Sequence, residues 1–187
     1  MQKKYGYYHG RFQPFHNGHM NMIKLMLDKH DEVIIGLSNP FRAPAISDDQ
    51  ALAKALATED TRSPLNNPWP YWQRVLMIRW TLKDAGLDVG RVIFVPNLKA
   101  SGFDTEETEF LKSETVKYTM PSGRHNKLIL ENNKKEGWDI VVIDPKDRPT
   151  SGTKIRQMIK SGDLEWKSHV PAGTERVIEK YGFKIKP

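Results

Sequence analysis

Short apolar runs bounded by turn-forming residues recur along the chain and alternate with stretches of helical spacing. Glu32–Ser38 and Asp139–Asp144 are apolar at nearly every interior position, as in strands buried on both faces of a sheet. Pro96 and Pro145 are expected to end the third and fifth runs. The predicted strands are Tyr5–His9, Glu32–Ser38, Arg91–Val95, Thr115–Thr119 and Asp139–Asp144.

Apolar residues three and four positions apart predict helices between these strands. The predicted helices run from near Gly18 through Leu27, over about Gln73–Asp84 and Asn126–Glu136, from Gly152 through Ile159, and around Val177–Tyr181. Alternating strands and helices predict an α/β fold, a doubly wound parallel five-stranded sheet with helices on both faces. We expect a single domain over residues 1–187, in which about 42–67 form a long insertion or lid around a short helix, Gln50–Ala57.

The composition is that of a folded domain outside the membrane. Of 187 residues, 38% are apolar and 28% are charged, which is too apolar for a disordered chain. No apolar run approaches the length of a membrane span, and the first residues form no signal-peptide core, so we expect a cytoplasmic protein. The chain has no cysteine, which excludes disulfides, thiolate zinc sites and a cysteine nucleophile.

The positive charge is concentrated near one end of the chain. The formal net charge is +6, and the segment Arg148–Pro187 contains nine Lys or Arg residues but only four acidic residues. Such a surplus suits nucleic acid or a phosphate-rich small molecule. There is no run of like charge and no RNA-binding signature, so we do not expect dedicated nucleic-acid binding.

The stretch Gly10–His19 has the features of a phosphate site. Gly10 ends a strand where the backbone must approach something closely, and Gly18 lets the chain enter a helix whose first amides attract anions. His16 and His19 are three residues apart, so both rings can face one bound group. The alternatives are an incidental or packed histidine pair, and a zinc site that lacks further ligands at a familiar spacing. The combined pattern favours a phosphate or nucleotide site.

The stretch Gly-Arg-Phe-Gln-Pro-Phe-His-Asn-Gly-His resembles the signature of the nucleotidyltransferase superfamily that shares its HxGH-type core with class I aminoacyl-tRNA synthetases. Its wording is most similar to the nicotinamide mononucleotide (NMN) adenylyltransferases of the archaeal and related bacterial type. The resemblance implies a Rossmann-like fold and a catalytic role for His16, His19 and Arg11. It implies that ATP phosphates are bound by Gly10, Arg11, Phe12, His16, Gly18 and His19.

A second motif, Pro149–Arg156, follows the fifth strand. Ser151 or Thr153 can cap the incoming helix, Gly152 permits a close approach, and Arg156 can fork onto phosphate oxygens one turn later. Alone this is a good helix start. Beside the first motif it resembles the Ser/Thr-x-x-Arg signature that holds the β- and γ-phosphates of ATP.

Two weaker resemblances concern other ligands. Asn67–Ile78 is similar to the family's Asn-Pro-Phe…Arg-x-x-Met-Ile segment, which makes Arg74 a further candidate triphosphate ligand. Trp69, Trp72 and Phe103 are candidates to stack on the acceptor's pyridine ring, the alternative being packing in the core or a lid.

The resemblance implies transfer of AMP from ATP to the phosphate of NMN, giving NAD and pyrophosphate, with Mg²⁺ bridging phosphates and no metal held by protein ligands. Adenylyl or cytidylyl transfer to phosphopantetheine, riboflavin phosphate or a polyol phosphate stays open, although Gln13 and Ser151–Thr153 favour adenylyl transfer. A nucleotide- or nucleic-acid-binding regulator with a vestigial site is the alternative from another class. Members of the family are commonly oligomers, and the sequence shows no decisive homo-oligomer interface.

Overall fold

A five-stranded parallel sheet forms the centre of the molecule. The computed structural model describes residues 4–39, 66–97, 113–120, 126–144 and 150–183. The strands are β1 (Tyr5–Gly10), β2 (Glu32–Ser38), β3 (Val92–Asn97), β4 (Thr115–Thr119) and β5 (Asp139–Val142), in the order β3-β2-β1-β4-β5. The order reverses direction at β1, so the loop that follows this strand stands at the topological switch point, where ligands bind in such sheets. The predicted doubly wound α/β fold is confirmed.

The helices follow the strands in the predicted alternation. They are α1 (Asn17–Leu27), α2 (Tyr71–Asp84), α3 (Asn126–Lys135), α4 (Gly152–Ser161) and α5 (Ala172–Tyr181), with short 3₁₀ turns at Val89–Arg91 and Leu164–His169. Among the helices described, none has both the length and the apolar character that a bilayer span requires.

The prediction for the third strand was wrong at both ends. The strand does not stop at Pro96, which pairs with Leu37, and it continues to Asn97. Among the described strands β3 lies at the sheet edge, where proline's missing N–H is tolerated. Arg91 precedes the strand, and its guanidinium donates to the carbonyls of Leu27 (2.8 Å) and His30 (2.6 Å) at the end of α1. The predicted helix Gln50–Ala57 and nearly all of the insertion lie outside the described residues.

One sheet face carries the main core. Ile23 and Met26 of α1 and Ile35 of β2 are completely buried there with the apolar faces of α2, α4 and α5. Gly173 brings α5 directly onto α2, because a Cβ at that position would lie 2.3 Å from the backbone nitrogen of Thr81. This close crossing fixes α2, and with it the first turn of α2, relative to the sheet.

An aromatic stack covers the other face beside β1. The ring of Tyr7 stacks on Trp138 (centroids 5.4 Å apart) and on His9 (5.8 Å). Lys117 is buried next to them, with its ammonium group 4.6 Å from the Trp138 ring centre and bonded to Asn133 at 2.6 Å. Burial, together with the charge of Lys117, lowers the pKa of His9 to about 4.

The depressed pKa of His9 predicts a loss of stability in weak acid. An unfolded chain protonates this histidine near pH 6.5, whereas the folded protein does not until about pH 4. The unfolded state therefore binds more protons between these values, and the free energy of unfolding falls as the pH drops through this window, by up to about 3 kcal/mol. Urea unfolding at pH 7 and pH 4.5 measures the loss.

The variant His9→Gln is the control for this effect. It keeps a polar side chain of similar size and cannot take up the proton, so its pH dependence is expected to be shallower than that of the natural protein by the same amount. Identical slopes for the two proteins would contradict the assignment to His9.

Candidate functional site

The loop between β1 and α1 builds an aromatic floor around two histidines. Phe12 has a left-handed backbone (φ 52°) although it carries a side chain, and its ring is buried. That ring packs edge-on against His19, with centroids 4.9 Å apart, and Phe15 stacks on the same imidazole at 5.6 Å. The conformation of the loop therefore holds His19 between two apolar rings.

His16 and His19 lie against each other at the start of α1. His16 is the N-cap residue, and the two ring centroids are 3.5 Å apart with an angle of 20° between the rings. The backbone N–H of His16 donates to Nδ1 of His19 at 3.2 Å. Since Nδ1 accepts this bond, the neutral ring of His19 carries its proton on Nε2 and has a donor there.

The first turn of α1 is electrostatically suited to an anion. The first amides of a helix have no partners within the helix and carry the positive end of its dipole. No acidic residue occupies the first turn of α1 or of α4. Each of these helix starts can therefore accept phosphate oxygens without competition from a carboxylate of its own.

The second motif meets the first through backbone contact. A Cβ on Gly152 would lie 2.5 Å from the carbonyl oxygen of Gln13, so only glycine allows α4 to start this close to the β1 loop. Ser151 caps the helix by accepting the N–H of Lys154 at 3.3 Å. The close approach predicted for Gly152 is thus present, and the start of α4 lies against the loop that leads into α1.

Arg156 joins the two motifs and lies beside a second cation. Its Nη1 donates to the Gln13 carbonyl at 2.6 Å, and its Nη2 donates to Thr153 Oγ1 at 3.2 Å and Asn66 Oδ1 at 3.3 Å. Burial, and then the positive charge of Arg11, lower the pKa of Arg156 to about 10, so it stays charged at neutral pH. The positive charges of Arg11 and Arg156 next to the start of α4 suit the binding of a polyphosphate.

Arg74 occupies a different kind of position from the one predicted. It is 1% exposed, and its terminal nitrogens donate to the carbonyls of Arg11 (2.7 Å), Ser38 (2.7 Å) and Asn39 (2.8 Å). Burial lowers its pKa to about 10. Its three acceptors are backbone carbonyls just after β1 and β2, so Arg74 anchors the start of the loop between β1 and α1.

The two aromatic candidates for the acceptor site that the structure describes, Trp69 and Trp72, lie in different surroundings. Trp69 is 1% exposed and packs edge-on against Phe183 in the core, so it offers no ring face to a ligand and its stacking role is withdrawn. Trp72 is 49% exposed, but it lies about 200° around α2 from Arg74 and packs against Tyr181 of α5. Phe103 lies outside the described residues.

Sequence reasoning missed the structural role of Gln13. Its side-chain amide donates to the Trp69 carbonyl at 2.8 Å and accepts the Trp69 N–H at 3.0 Å, as a paired backbone strand would. The partner is 56 residues away, and nothing in the local sequence indicates it. The clamp ties the segment before α2 to the loop.

The described residues suit a metal that arrives with its ligand. They contain no group of three His, Asp or Glu side chains able to hold an ion. The charged groups described in the two motifs are the guanidinium groups of Arg11 and Arg156, the ammonium group of Lys154 and the imidazoles of His16 and His19, none of which is a preferred ligand of Mg²⁺. Magnesium coordinated by the phosphates of a nucleotide fits this donor set, and magnesium held by protein carboxylates does not.

Comparison with known proteins places this geometry in context. Residues 7–158 match the cytidylyltransferase-like family. The chain is 29% identical over 182 residues to the nicotinamide-nucleotide adenylyltransferase of Saccharolobus solfataricus, covering 97% of this chain and 91% of the relative. It is also 24% identical over 179 residues to the phosphonoformate cytidylyltransferase of Streptomyces viridochromogenes, covering 95% and 92%.

A solved structure has the same fold. The bifunctional NMN adenylyltransferase/ADP ribose pyrophosphatase of Francisella tularensis, crystallised with AMP and a manganese ion, superposes with a TM-score of 0.66 at 20% identity. The match covers 95% of this chain and 49% of that protein, so the chain spans about half its length. At this identity the likeness supports the fold alone.

Proposed function

The chain belongs to the cytidylyltransferase-like family, and on that premise we propose that it transfers AMP from ATP to the phosphate of NMN, giving NAD and pyrophosphate. The observation that carries the proposal is the contact of Gly152 and Arg156 of α4 with Gln13, in the loop that leads to the stacked histidines at the start of α1. The similarity to archaeal nicotinamide-nucleotide adenylyltransferases over most of the chain supports NMN as the acceptor. We place the reaction in the cytoplasm, where ATP is available.

In this proposal the triphosphate of magnesium-bound ATP lies between the two helix starts. Arg156 and Arg11 neutralise its β- and γ-phosphates, and the amides at Gly152 and Thr153 donate to the same oxygens. Gly10, Phe12 and Gly18 shape the loop so that the backbone can approach the α-phosphate. Because Arg156 is held by Gln13 and Thr153, its charge is positioned before the nucleotide arrives.

The chemical step is an in-line displacement at the α-phosphorus. A phosphate oxygen of NMN forms the new bond, the bond to the bridging oxygen of pyrophosphate breaks, and the electron pair leaves with pyrophosphate. The attacking oxygen is already anionic, so no general base is needed. His16 and His19 stabilise the charge that builds on the α-phosphate, His19 through the N–H at Nε2. Magnesium supplies further neutralisation of the phosphates.

Transfer of CMP is the second candidate, favoured by the similarity to a phosphonoformate cytidylyltransferase. Both polar atoms of the Gln13 side chain are bonded to the backbone of Trp69. In this conformation Gln13 does not read the base, so selection between ATP and CTP depends on other residues. The assay must therefore include both nucleotides.

The direct test incubates the purified protein with Mg²⁺, ATP or CTP, and NMN or another phosphorylated acceptor. Equimolar NAD and pyrophosphate from ATP and NMN are expected, measured by chromatography and a pyrophosphate assay. The variant Arg156→Gln is expected to lower kcat/KM for ATP by about 10²-fold, since it removes a charge-assisted contact to the triphosphate.

The matched control for Arg156→Gln is Lys160→Gln, which removes a charge from the exposed end of the same helix. It should keep kcat/KM within about 3-fold, the range expected from long-range screening. Pyrophosphate release with CTP but not with ATP would show that the enzyme transfers CMP rather than AMP. No release with any pair of substrates would overturn both.

A further inference from the structure

Arg74 contacts the chain just beyond the last residue pair between the neighbouring strands β1 and β2. The last paired residues of β1 and β2 are Gly10 and Leu37, and the chain on each side then passes through one residue into a left-handed residue. Those residues are Phe12 and Asn39, both with φ 52°. Beyond the Gly10–Leu37 pair, the two chains take the same backbone conformation at the same register, while Ser38 still pairs with Asn97 of β3.

The guanidinium group of Arg74 is bonded to the carbonyls at this pair of exits. Its Nη1 donates to the carbonyls of Arg11 and Ser38, both at 2.7 Å, and its Nη2 donates to the carbonyl of Asn39 at 2.8 Å. Non-glycine residues adopt the left-handed conformation only where surrounding contacts compensate for it. The buried guanidinium group of Arg74 supplies such compensation, because it donates to carbonyls at or next to the two left-handed residues.

From this geometry we propose that Arg74 is a positioning residue, which sets the height and direction at which the Gly10–His19 loop leaves the sheet. This assignment rests on the proposed nucleotidyl transfer and replaces the role of triphosphate ligand that the sequence suggested. The charge of Arg11 lowers the pKa of Arg156, and the carbonyl of Arg11 accepts a bond from Arg74 at 2.7 Å. Arg74 thus acts on the phosphates through Arg11 and the histidines rather than by contact.

The two roles differ in what a lysine at position 74 would do. Lysine keeps the charge but presents a single ammonium point in place of the planar fork that reaches three carbonyls. A positioning role predicts that Arg74→Lys lowers kcat at saturating substrates at least 10-fold, with a rise in the Kd of inorganic tripolyphosphate clearly smaller than that in Arg156→Lys, because Arg11 is displaced but keeps its charge. Arg156→Lys should instead raise the Kd of tripolyphosphate about 10-fold or more, because in the proposed function Arg156 contacts the phosphates directly.

Amide hydrogen exchange gives a readout that does not depend on activity. In Arg74→Lys, exchange is expected to quicken at least 10-fold in residues 10–19 and 36–39, with helices α4 and α5 unchanged. Uniform quickening along the chain, or a rise in the tripolyphosphate Kd equal to that of Arg156→Lys with kcat preserved, would overturn the proposal. If the natural protein forms no NAD, the proposed function is wrong. The exchange pattern still tests the role of Arg74 in that case.

Asn39 provides a second test should the Arg74 variant fail to fold. Asn39→Gly keeps the left-handed backbone and is expected to leave kcat within 2-fold, whereas Asn39→Val opposes that backbone and should lower kcat several-fold without changing tripolyphosphate binding. Full activity in Asn39→Val, with unchanged exchange over residues 10–19, would show that the paired exits do not position the loop.

Discussion

Replacing His19 with alanine is expected to lower kcat by about 10²–10³-fold, the loss seen when one donor to a transition-state oxyanion is removed. The imidazole is held by Phe12, by Phe15 and by the bond from the His16 N–H, so its Nε2 donor is oriented before substrate binds. Its contribution is made mainly in the transition state. The KM for NMN should therefore change by less than about 3-fold. Steady-state kinetics with coupled NAD detection gives both values.

His19→Asn separates the chemistry from the structure of the helix start. Asparagine can accept the backbone N–H of His16 through its side-chain oxygen, as the imidazole does, but it is too short to reach the same place as Nε2. It should restore thermal stability lost in the alanine variant while kcat stays low. His169→Gln changes a histidine outside both motifs and is expected to leave kcat unchanged. Recovery of natural kcat in His19→Asn would limit His19 to a capping role.

Gly152→Ala is expected to lower kcat/KM for ATP by about 10²-fold, because a displacement of about 1 Å between reacting groups has effects of this size. The new methyl group would lie 2.5 Å from the Gln13 carbonyl oxygen and 3.3 Å from Nη1 of Arg156. The backbone cannot yield there without moving the start of α4 away from the β1 loop. Pyrophosphate release at several ATP concentrations measures the effect.

The sign of the stability change makes this prediction specific. Alanine is the better helix former by about 1 kcal/mol, so helix propensity alone predicts that Gly152→Ala stabilises the protein. Overpacking against the Gln13 backbone predicts a loss of about 1–3 kcal/mol instead. Thermal and urea unfolding distinguish the two. A more stable variant with undiminished kcat/KM would mean that the two motifs do not need this close contact.

Most of the fold could be predicted because each strand and helix is indicated by a short stretch of sequence. A strand buried on both faces must be apolar in its interior, and Val33–Leu37 is free of polar side chains, so the predicted bounds of β2 agree with the observed ones. The short spacing of His16 and His19 placed both rings at one helix start for the same reason. The prediction that β3 ends at Pro96 was wrong because proline is tolerated in an edge strand, and the position of a strand in the sheet cannot be seen from the local sequence.

The contacts beneath the site were beyond local reasoning. Arg74 bonds carbonyls 35, 36 and 63 residues earlier, and its position in the first turn of a helix is compatible with a ligand, a surface charge or a buried anchor. Trp69 looked equally suited to stacking on a ring or packing in the core. Which side chain turns inward depends on how α2 crosses the sheet and on Gly173 against Thr81. The sequence does not state that crossing in any short window.

The bond from Arg156 to the Gln13 carbonyl spans 143 residues of chain, and this separation has a consequence for biosynthesis. A ribosome releases Gln13 first, and the arginine that holds it follows 143 residues later. Long-range contacts of this kind form late, since the intervening chain must be ordered first. A nascent chain should therefore remain unable to grip a nucleotide until α4 has emerged. Nucleotide retention by stalled chains of increasing length would be expected to rise in one step, after residue 156 clears the exit tunnel.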